Sequence, residues 1–316
     1  MLPCPFILPA ALLLDILAGD PPNRFHPVCL IGWCARRAET LARRLWGGTF
    51  TAGMAAALGT CAAAWLACAV FFLLFSLSSS LWIPWIPAVL VIYICMAPRG
   101  LAEHALRVAN ALRSGKDGEA RHAVSMIVGR DTERLDRHGM ARAAIESVAE
   151  NLTDGVFSTL FWATAGCLAG GPFGAAFAAL THRVFNILDA MWGKKNDRYD
   201  ALNFIPARLI LPCISLAALF VKGTSARRAL TTGWAFRRAH ASPNSAWSEA
   251  AFAGALGLRI GGPVSYKGIP ADYPWIGTGR TEAAVSDLAL AIRLMWMTAA
   301  AGTLVFSLIL FFIPRF

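Results

Sequence analysis

The 316 residues are 57% hydrophobic and 15% charged, whereas an ordinary soluble domain is roughly a quarter charged; the composition excludes such a domain and indicates an all-α polytopic integral membrane protein. Lys and Arg number 29 against 19 Asp and Glu, a formal net charge of +10, which fits arginine-rich cytoplasmic loops, anionic substrates such as phosphates, or both. The basic residues are spread over several loops without a recognisable binding module, so no nucleic-acid partner is expected.

The chain begins with an apolar stretch, Phe6 to Ala18, shorter than the ~20 helical residues needed to cross a hydrocarbon core. It contains Asp15, and it tilts, re-enters or extends past that acid. No basic segment precedes it, and Asp15 and Asp20 interrupt it, so cleavage as a leader is not expected. GDPPNRFHPVCLIGW then forces a turn through its glycine and prolines, with Asp20 and His26 on either side.

A basic patch (Arg36, Arg37, Arg43, Arg44) precedes the clearest spanning segment, about Ala52 to Leu77, and a second runs from about Leu81 to Ala97. A tight turn at Ser78 to Ser80 would make these a hairpin, and the flanking arginines place both neighbouring loops in the cytoplasm. Residues 98–151 read as a cytoplasmic helical insertion, with Leu101, Ala105, Val108 and Leu112 at helical spacing. In VGRDTERL, Asp131 or Thr132 is placed to cap a short helix with Glu133 in its first turn. Arg130 either holds a phosphate or sits on the surface. Five of the eight cysteines lie inside apolar segments and no pair shows CxxC spacing, the pattern of reduced packing residues.

The run from Ala144 to Arg208 carries the most information. Glu146, Glu150 and Asp154 are spaced i, i+4, i+8, which on a helix stacks three carboxylates on one face. Their mutual repulsion, about 0.2–0.5 kcal/mol per exposed pair, is relieved by a cation or by water. Asn151 lies between Glu150 and Asp154. A buried carboxamide there would need its donors and acceptors used, which suits orienting an amine and an acid; the alternative is a helix end ahead of Gly155. Gly155 to Thr181 is long enough to cross, but Gly170, Gly171, Pro172 and Gly174 break it, and a re-entrant or hairpin segment is the preferred reading. A second polar knot holds Asn186, Asp189, Lys194, Asp197, Asp200 and Asn203. The apolar run Phe204 to Val221 follows. Residues 222–285 read as a polar, Gly/Pro-rich cytoplasmic loop region in which Ser242 or Asn244 caps a helix starting near Ala246, with Glu249 in its first turn. Leu294 to Ile313 is the last spanning helix, so the whole chain, 1–316, reads as one membrane domain.

Six stretches now combine: DILAGDPPNRFHPVCLIG, SMIVGRDT, AIESVAENLTDG, NILDAMWGKKNDRY, NFIPARL and AHASPNSAWSEAAFAGALGLRIGGP. In this order, with a closing apolar helix, they resemble the membrane cobalamin-biosynthesis proteins called CobD or CbiB, the adenosylcobinamide-phosphate synthases, over nearly the whole chain. The resemblance implies ATP-dependent amide formation between adenosylcobyric acid and aminopropanol phosphate or a related aminoalcohol phosphate. It implies ATP as co-substrate, Mg²⁺, and a multi-pass protein of the inner membrane with its active face in the cytoplasm. The implied partners are the corrinoid and aminoalcohol-phosphate substrates, the lipid bilayer, and further copies of the chain or other cobamide-assembly enzymes.

On this reading Glu150, Asn151, Asp154, Asn186 and Asp189 are the candidate catalytic residues. Glu150, Asp154, Asp189 and Asp200 are the candidate Mg²⁺ ligands, through oxygen. Asp20, His26, Arg130, Lys194, Asn203, Arg208, Ser242 and Asn244 are the candidate substrate-binding residues. The chemistry suits these types: an unactivated carboxylate does not accept an amine, so a phosphoryl group must first be transferred to it, and cations stabilise that transfer. Neither GxxxxGK[ST] nor GxGxxG after a strand occurs, so ATP rests on the resemblance alone. The chain departs from the family where Arg183 replaces a lysine, where Ala190 replaces a serine, and where the segment before Asn-x-x-Pro-Ala-Arg shortens to KKNDRYDALNF. The shortening motivates a second reading, a non-catalytic membrane regulator on the same fold. Asp15 and the broken glycine segment motivate a third, a transporter with discontinuous helices.

Overall fold

A computed structural model describes residues 4–22, 24, 26–76, 83–192 and 202–313. In chain order the helices are α1 (Ile7–Ala18), α2 (Pro27–Trp46), α3 (Phe50–Ser76), α4 (Trp85–Met96), α5 (Pro98–Arg113), α6 (Asp117–Ser125) and α7 (Arg137–Asn151). A π-helical turn, Leu152–Phe157, leads into α8 (Ser158–Trp192), and α9 (Phe204–Ala217), α10 (Ala226–Phe236) and α11 (Ser245–Leu256) follow. Four short strands, β1 (Ile260–Gly261), β2 (Val264–Tyr266), β3 (Ile269–Ala271) and β4 (Trp275–Ile276), precede α12 (Val285–Phe312). Four helical runs among the described residues are long and apolar enough to cross a membrane: Phe50–Phe75, Trp85–Arg113, Arg137–Trp192 and Val285–Phe312. The protein is an all-α polytopic membrane protein.

The chain divides into two compact units, one of Met1–Ala97, Ser158–Leu202 and Thr303–Phe316, the other of Pro98–Phe157 and Asn203–Gly302. Residues 98–151 and 222–285, read from sequence as separate attachments to one domain, therefore belong together in the second unit, with α9 between them.

In the first unit α1 stops after 12 residues at Gly19, whose φ of 70° breaks the helix and whose N–H returns to the Asp15 carbonyl at 2.8 Å. The hydroxyl of Tyr93 donates to the Gly19 carbonyl. α3 turns Leu58, Leu66, Leu73 and Leu74 outward and buries Ala56, Ala57, Cys61 and Ala64. Lipid is as apolar as leucine, so large side chains gain nothing by turning inward, while small ones let backbones approach. Ala35 of α2 and Val184 and Leu188 of α8 pack against this small-residue face. Two indoles tie the packing down: Trp65 donates to Thr181 Oγ1 and Trp192 to Glu39 Oε2, each at 3.0 Å. α2 exposes Trp33 and Trp46 beside Arg36, Arg37, Arg43 and Arg44, a mixture suited to a membrane–water boundary.

α8 is broken where the sequence says it should be. Gly170 (φ −149°, ψ 26°) and Gly171 (φ 62°, ψ −146°) leave the helical region, and Pro172 begins the second half. The backbones of Gly166 and Gly174 meet so closely that a Cβ on either would strike the other's carbonyl oxygen. In a continuous helix residues eight apart are separated by about 12 Å, so the chain reverses at GGPFG as a helical hairpin. The turn at Ser78 to Ser80 lies outside the described residues.

The second unit departs more from the sequence reading. Besides the helix read from about Ala246, which is α11, the loop region 222–285 holds α10 and two antiparallel ladders, with Ile260 opposite Ile276 and Ser265 opposite Pro270. Every residue of α11 is buried. Gly254 lets α11 approach α10, since a Cβ there would lie 2.6 Å from that of Thr232. No helix follows Asp131; its carboxylate accepts instead from Lys267 N (2.9 Å) and Gly268 N (2.7 Å), the two-residue turn joining β2 to β3. Both turn residues have positive φ, as a type I′ hairpin requires. Asp136 performs the capping, accepting from Gly139 N at 2.6 Å at the start of α7. α12 starts at Val285 rather than Leu294, because Asp287 accepts from Ala284 N (2.7 Å) and pairs with Arg280 (2.6 Å).

Candidate functional site

A cavity of about 180 Å³ opens in the second unit. Its walls come from the loop before α7, from α7 and α11, and from the strand region, and they include Arg130, Glu146, Glu150, Glu249, Tyr266 and Tyr273. Glu146 and Glu150 share the cavity as the i, i+4 spacing requires. Asp154 is not among the lining residues, because the chain widens into a π turn after Asn151 and the regular register ends there. Such turns recur at functional sites.

Arg130 and Glu146 form a buried ion pair, and the second Glu146 oxygen accepts from Gly261 N at 2.7 Å. Burial alone would push Arg130 down, but the charge and hydrogen bond of Glu146 hold it above its ordinary value. The two alternatives for Arg130 resolve accordingly: it is a half-buried member of the cavity wall, not a surface arginine. Ser245 Oγ donates to Glu150 Oε1 at 3.1 Å. Glu249 is 5% exposed; burial, then the nearby charges of Glu150 and Glu146, raise its carboxyl well above the usual range. His240 stacks on Tyr273 with ring centroids 5.9 Å apart. Its Nδ1 accepts from Ser242 N at 2.9 Å, which leaves the proton of the neutral ring on Nε2.

Beside the cavity lies a second network. Asn203 Nδ2 donates to Asp154 Oδ1 at 3.0 Å. Arg208 donates to Asn244 Oδ1 (2.6 Å) and to the carbonyls of Phe204 (2.6 Å) and Pro243 (3.3 Å), with its guanidinium 3.5 Å from the Phe204 ring centroid. With Asn244 engaged by Arg208, Ser242 serves the start of α11, its Oγ accepting from the N–H groups of Asn244 (3.2 Å) and Ser245 (3.4 Å). Asn151 is exposed, and its amide donates to Ser147 O (2.8 Å) and Ser147 Oγ (3.2 Å) one turn back. The buried carboxamide expected there is absent, since the helix turns that position to the outside.

Four other candidates lie in the first unit. Asp20 and His26 approach at 3.6 Å, and His26 also caps α2 through Nδ1, which accepts from Val28 N at 3.2 Å. Asn186 accepts from Arg183 at 3.2 Å, and Asp189 is half-buried on α8. Lys194 and Asp200 lie outside the described residues. Among the described residues no group of three or more His, Cys, Asp or Glu is arranged to hold a metal. Of the four candidate Mg²⁺ ligands, Glu150 accepts from Ser245 through Oε1 and Asp154 from Asn203 through Oδ1.

The sequence profile described as CobD/Cbib protein matches residues 8–295. The chain belongs to the CobD/CbiB family. It is 37% identical over 309 residues to Cobalamin biosynthesis protein CobD of Klebsiella pneumoniae, with 94% of each chain covered. It is 39% identical over 326 residues to the protein of that name in Yersinia enterocolitica, covering 94% of this chain and 95% of the relative. Cobalamin biosynthesis protein CbiB of Salmonella typhimurium is 36% identical over 313 residues, with 95% and 94% covered. No solved structure gives a significant match.

In this CobD/CbiB chain the residue that sequence reasoning missed is Glu249, noted there only as part of a helix start. One signal could have found it. In AWSEAAFAGAL the residues three and four positions away are Ala246, Ser245, Phe252 and Ala253, so a lone acid sits in a helix of small and apolar residues with no cation in local reach. Such an acid is placed for a tertiary purpose.

Proposed function

We propose that the protein acts in cobalamin biosynthesis as an ATP-dependent ligase joining the side-chain carboxyl of adenosylcobyric acid to the amine of an aminoalcohol phosphate, aminopropanol phosphate in the first instance. One observation carries the reading. Stretches far apart in sequence, SMIVGRDT, AIESVAENLTDG, NFIPARL and SPNSAWSE, supply one polar cavity and its adjoining hydrogen-bond network.

MgATP enters as a co-substrate, and its γ-phosphoryl group passes to the corrinoid carboxylate to give an acyl phosphate. The free amine then attacks the acyl carbon, the C–N bond forms, and inorganic phosphate leaves. The chain's share is positioning and charge. Arg208, stacked on Phe204 and held by Asn244, is an ordered guanidinium for an anionic substrate. Asn203 orients Asp154, and Arg130 offsets one carboxylate of the cavity. The arginine-rich segments support a cytoplasmic face of the inner membrane for this chemistry; a cysteine introduced near Asn196 that labels from outside intact cells would refute that sidedness.

The decisive experiment gives the purified protein adenosylcobyric acid, aminopropanol phosphate and MgATP. Adenosylcobinamide phosphate and ADP in equal amounts are the expected products. A folded protein that makes neither is a non-catalytic relative.

A further inference from the structure

The cavity holds more acid than its protein partners offset. Glu146 is matched by Arg130 and Gly261 N, and Glu150 by the Ser245 hydroxyl. Glu249 reaches the same cavity from α11, 5% exposed, and among the described residues no hydrogen bond reaches its carboxyl. With no protein donor on it among the described residues, the Glu249 carboxyl takes its partner from whatever fills the cavity. The opposite wall is aromatic: Tyr266 and Tyr273 meet edge to face with centroids 6.3 Å apart, and ring faces attract cations.

Carboxyls and aromatic faces together suit a cation, and the cavity's size decides which kind. About 180 Å³ is several times one water's share of about 30 Å³, too large for a bare ion. The described carboxylates also form no metal-holding trio. An organic ammonium fills such a space and uses both walls.

We propose that this cavity binds the primary ammonium of a small aminoalkyl phosphate, with the Glu249 and Glu150 carboxyls as its polar partners and the Tyr266–Tyr273 pair as its aromatic wall. The proposal rests on the ligase reading only in naming that amine as a substrate. Arg130, in the same cavity, is the cation available to the phosphate end.

Calorimetric titration of the purified full-length chain, without ATP or corrinoid, tests this with three probes: 2-aminoethyl phosphate, 2-hydroxyethyl phosphate and MgCl₂ alone. The first two differ only in ammonium against hydroxyl. The aminoethyl compound should bind roughly tenfold tighter or better, a margin of about 1.4 kcal/mol. Glu249→Gln should remove that margin and leave the hydroxyethyl affinity unchanged, with Glu150→Gln, on a different helix, as the second variant. Equal affinity for the two phosphates, amine preference surviving both variants, or no amine binding at about 1 mM overturns the proposal. So does MgCl₂ binding that Glu249→Gln abolishes while the amine is unaffected. Failure of amide synthesis leaves this binding result standing, whereas synthesis without amine preference overturns the cavity assignment alone.

Discussion

In the first unit α3 buries alanine and cysteine and turns Leu58, Leu66, Leu73 and Leu74 outward, whereas the second unit buries Glu146, Asn203, Asn244, Ser248 and Glu249 alongside its alanines. Both use small residues for close helix approach, at Gly166 with Gly174 in one and at Gly254 in the other. The difference lies in what the closeness serves. In the first it gives van der Waals contact between helices that lipid would otherwise separate. In the second it brings polar side chains from distant parts of the chain into one network, where each must find a partner. Both units are therefore open to steric faults, and the carboxylate cavity of the second adds an electrostatic one.

The largest expected effect tests the electrostatic half. Arg130→Ala leaves Glu146 buried without its cation, and breaking such a pair costs about 3–5 kcal/mol. The melting temperature in detergent should fall sharply. Replacing both partners together, Arg130→Met with Glu146→Leu, should restore most of the stability, because no stranded charge remains; stability that stays low in the double variant would show that the pair does more than neutralise itself.

The steric half comes next. Gly166→Ala puts a methyl group against the Gly174 carbonyl and Ala178, and overpacking of this kind costs roughly 1–3 kcal/mol. Gly254→Ala meets Arg228 and Thr232 and should cost a similar amount. Thermal unfolding in detergent measures both. A Gly166→Ala protein as stable as the parent would mean the hairpin is looser than its backbone contact implies.

Much of the first unit is legible in the sequence, because its signals are local. Two glycines and a proline break α8, and long apolar runs with few charges mark the spanning helices. The second unit is harder to read for a physical reason. Ser242, Pro243, Asn244 and the glycines after Leu256 carry loop chemistry; the cap marked the start of α11, but the loop signal hid α10 and the two antiparallel ladders. The carboxylate stripe was readable for Glu146 and Glu150, which share the cavity, while Asp154 follows in a π turn, which leaves no mark in spacing. Glu249 was missed because its neighbours Glu146 and Glu150 reach it only through tertiary packing. Asp131 was read as a cap because that is the commonest local use of such a residue, while its actual partners lie 136 and 137 positions away.

A smaller effect concerns Asn151. Its side chain is exposed and its amide donates to Ser147, so Asn151→Asp exchanges two donors for an acceptor facing oxygen atoms on the outer face of α7. Turnover in the amide-forming assay should stay within about threefold of the parent, and stability within about 0.5 kcal/mol, as for most surface changes. Loss by orders of magnitude with unchanged folding would mean that Asn151 meets a substrate after all.

The smallest effect is a pH dependence at Asp131. Hydrogen bonds, first from Gly268 N–H and then from the Ser265 hydroxyl and Lys267 N–H, hold its carboxyl below the ordinary value of 3.8 against desolvation. A carboxylate whose folded pKa is depressed contributes stability above its unfolded pKa, and the contribution is lost as pH falls through the lower folded value. The window therefore opens just under 3.8 and runs downward. Because both backbone donors belong to the β2–β3 turn, the loss should stay local to that turn and leave the cavity wall at Val264 in place. Amide hydrogen exchange from about pH 5 to about pH 2, corrected for intrinsic rates, should show Lys267 and Gly268 losing protection while the amides of α11 keep theirs. Asp131→Asn should show the weakened turn already at neutral pH, since an amide accepts less strongly than a carboxylate. Protection at Lys267 and Gly268 that is indifferent to both pH and Asp131→Asn would place the hold on this turn in the Val264 to Ala271 ladder alone.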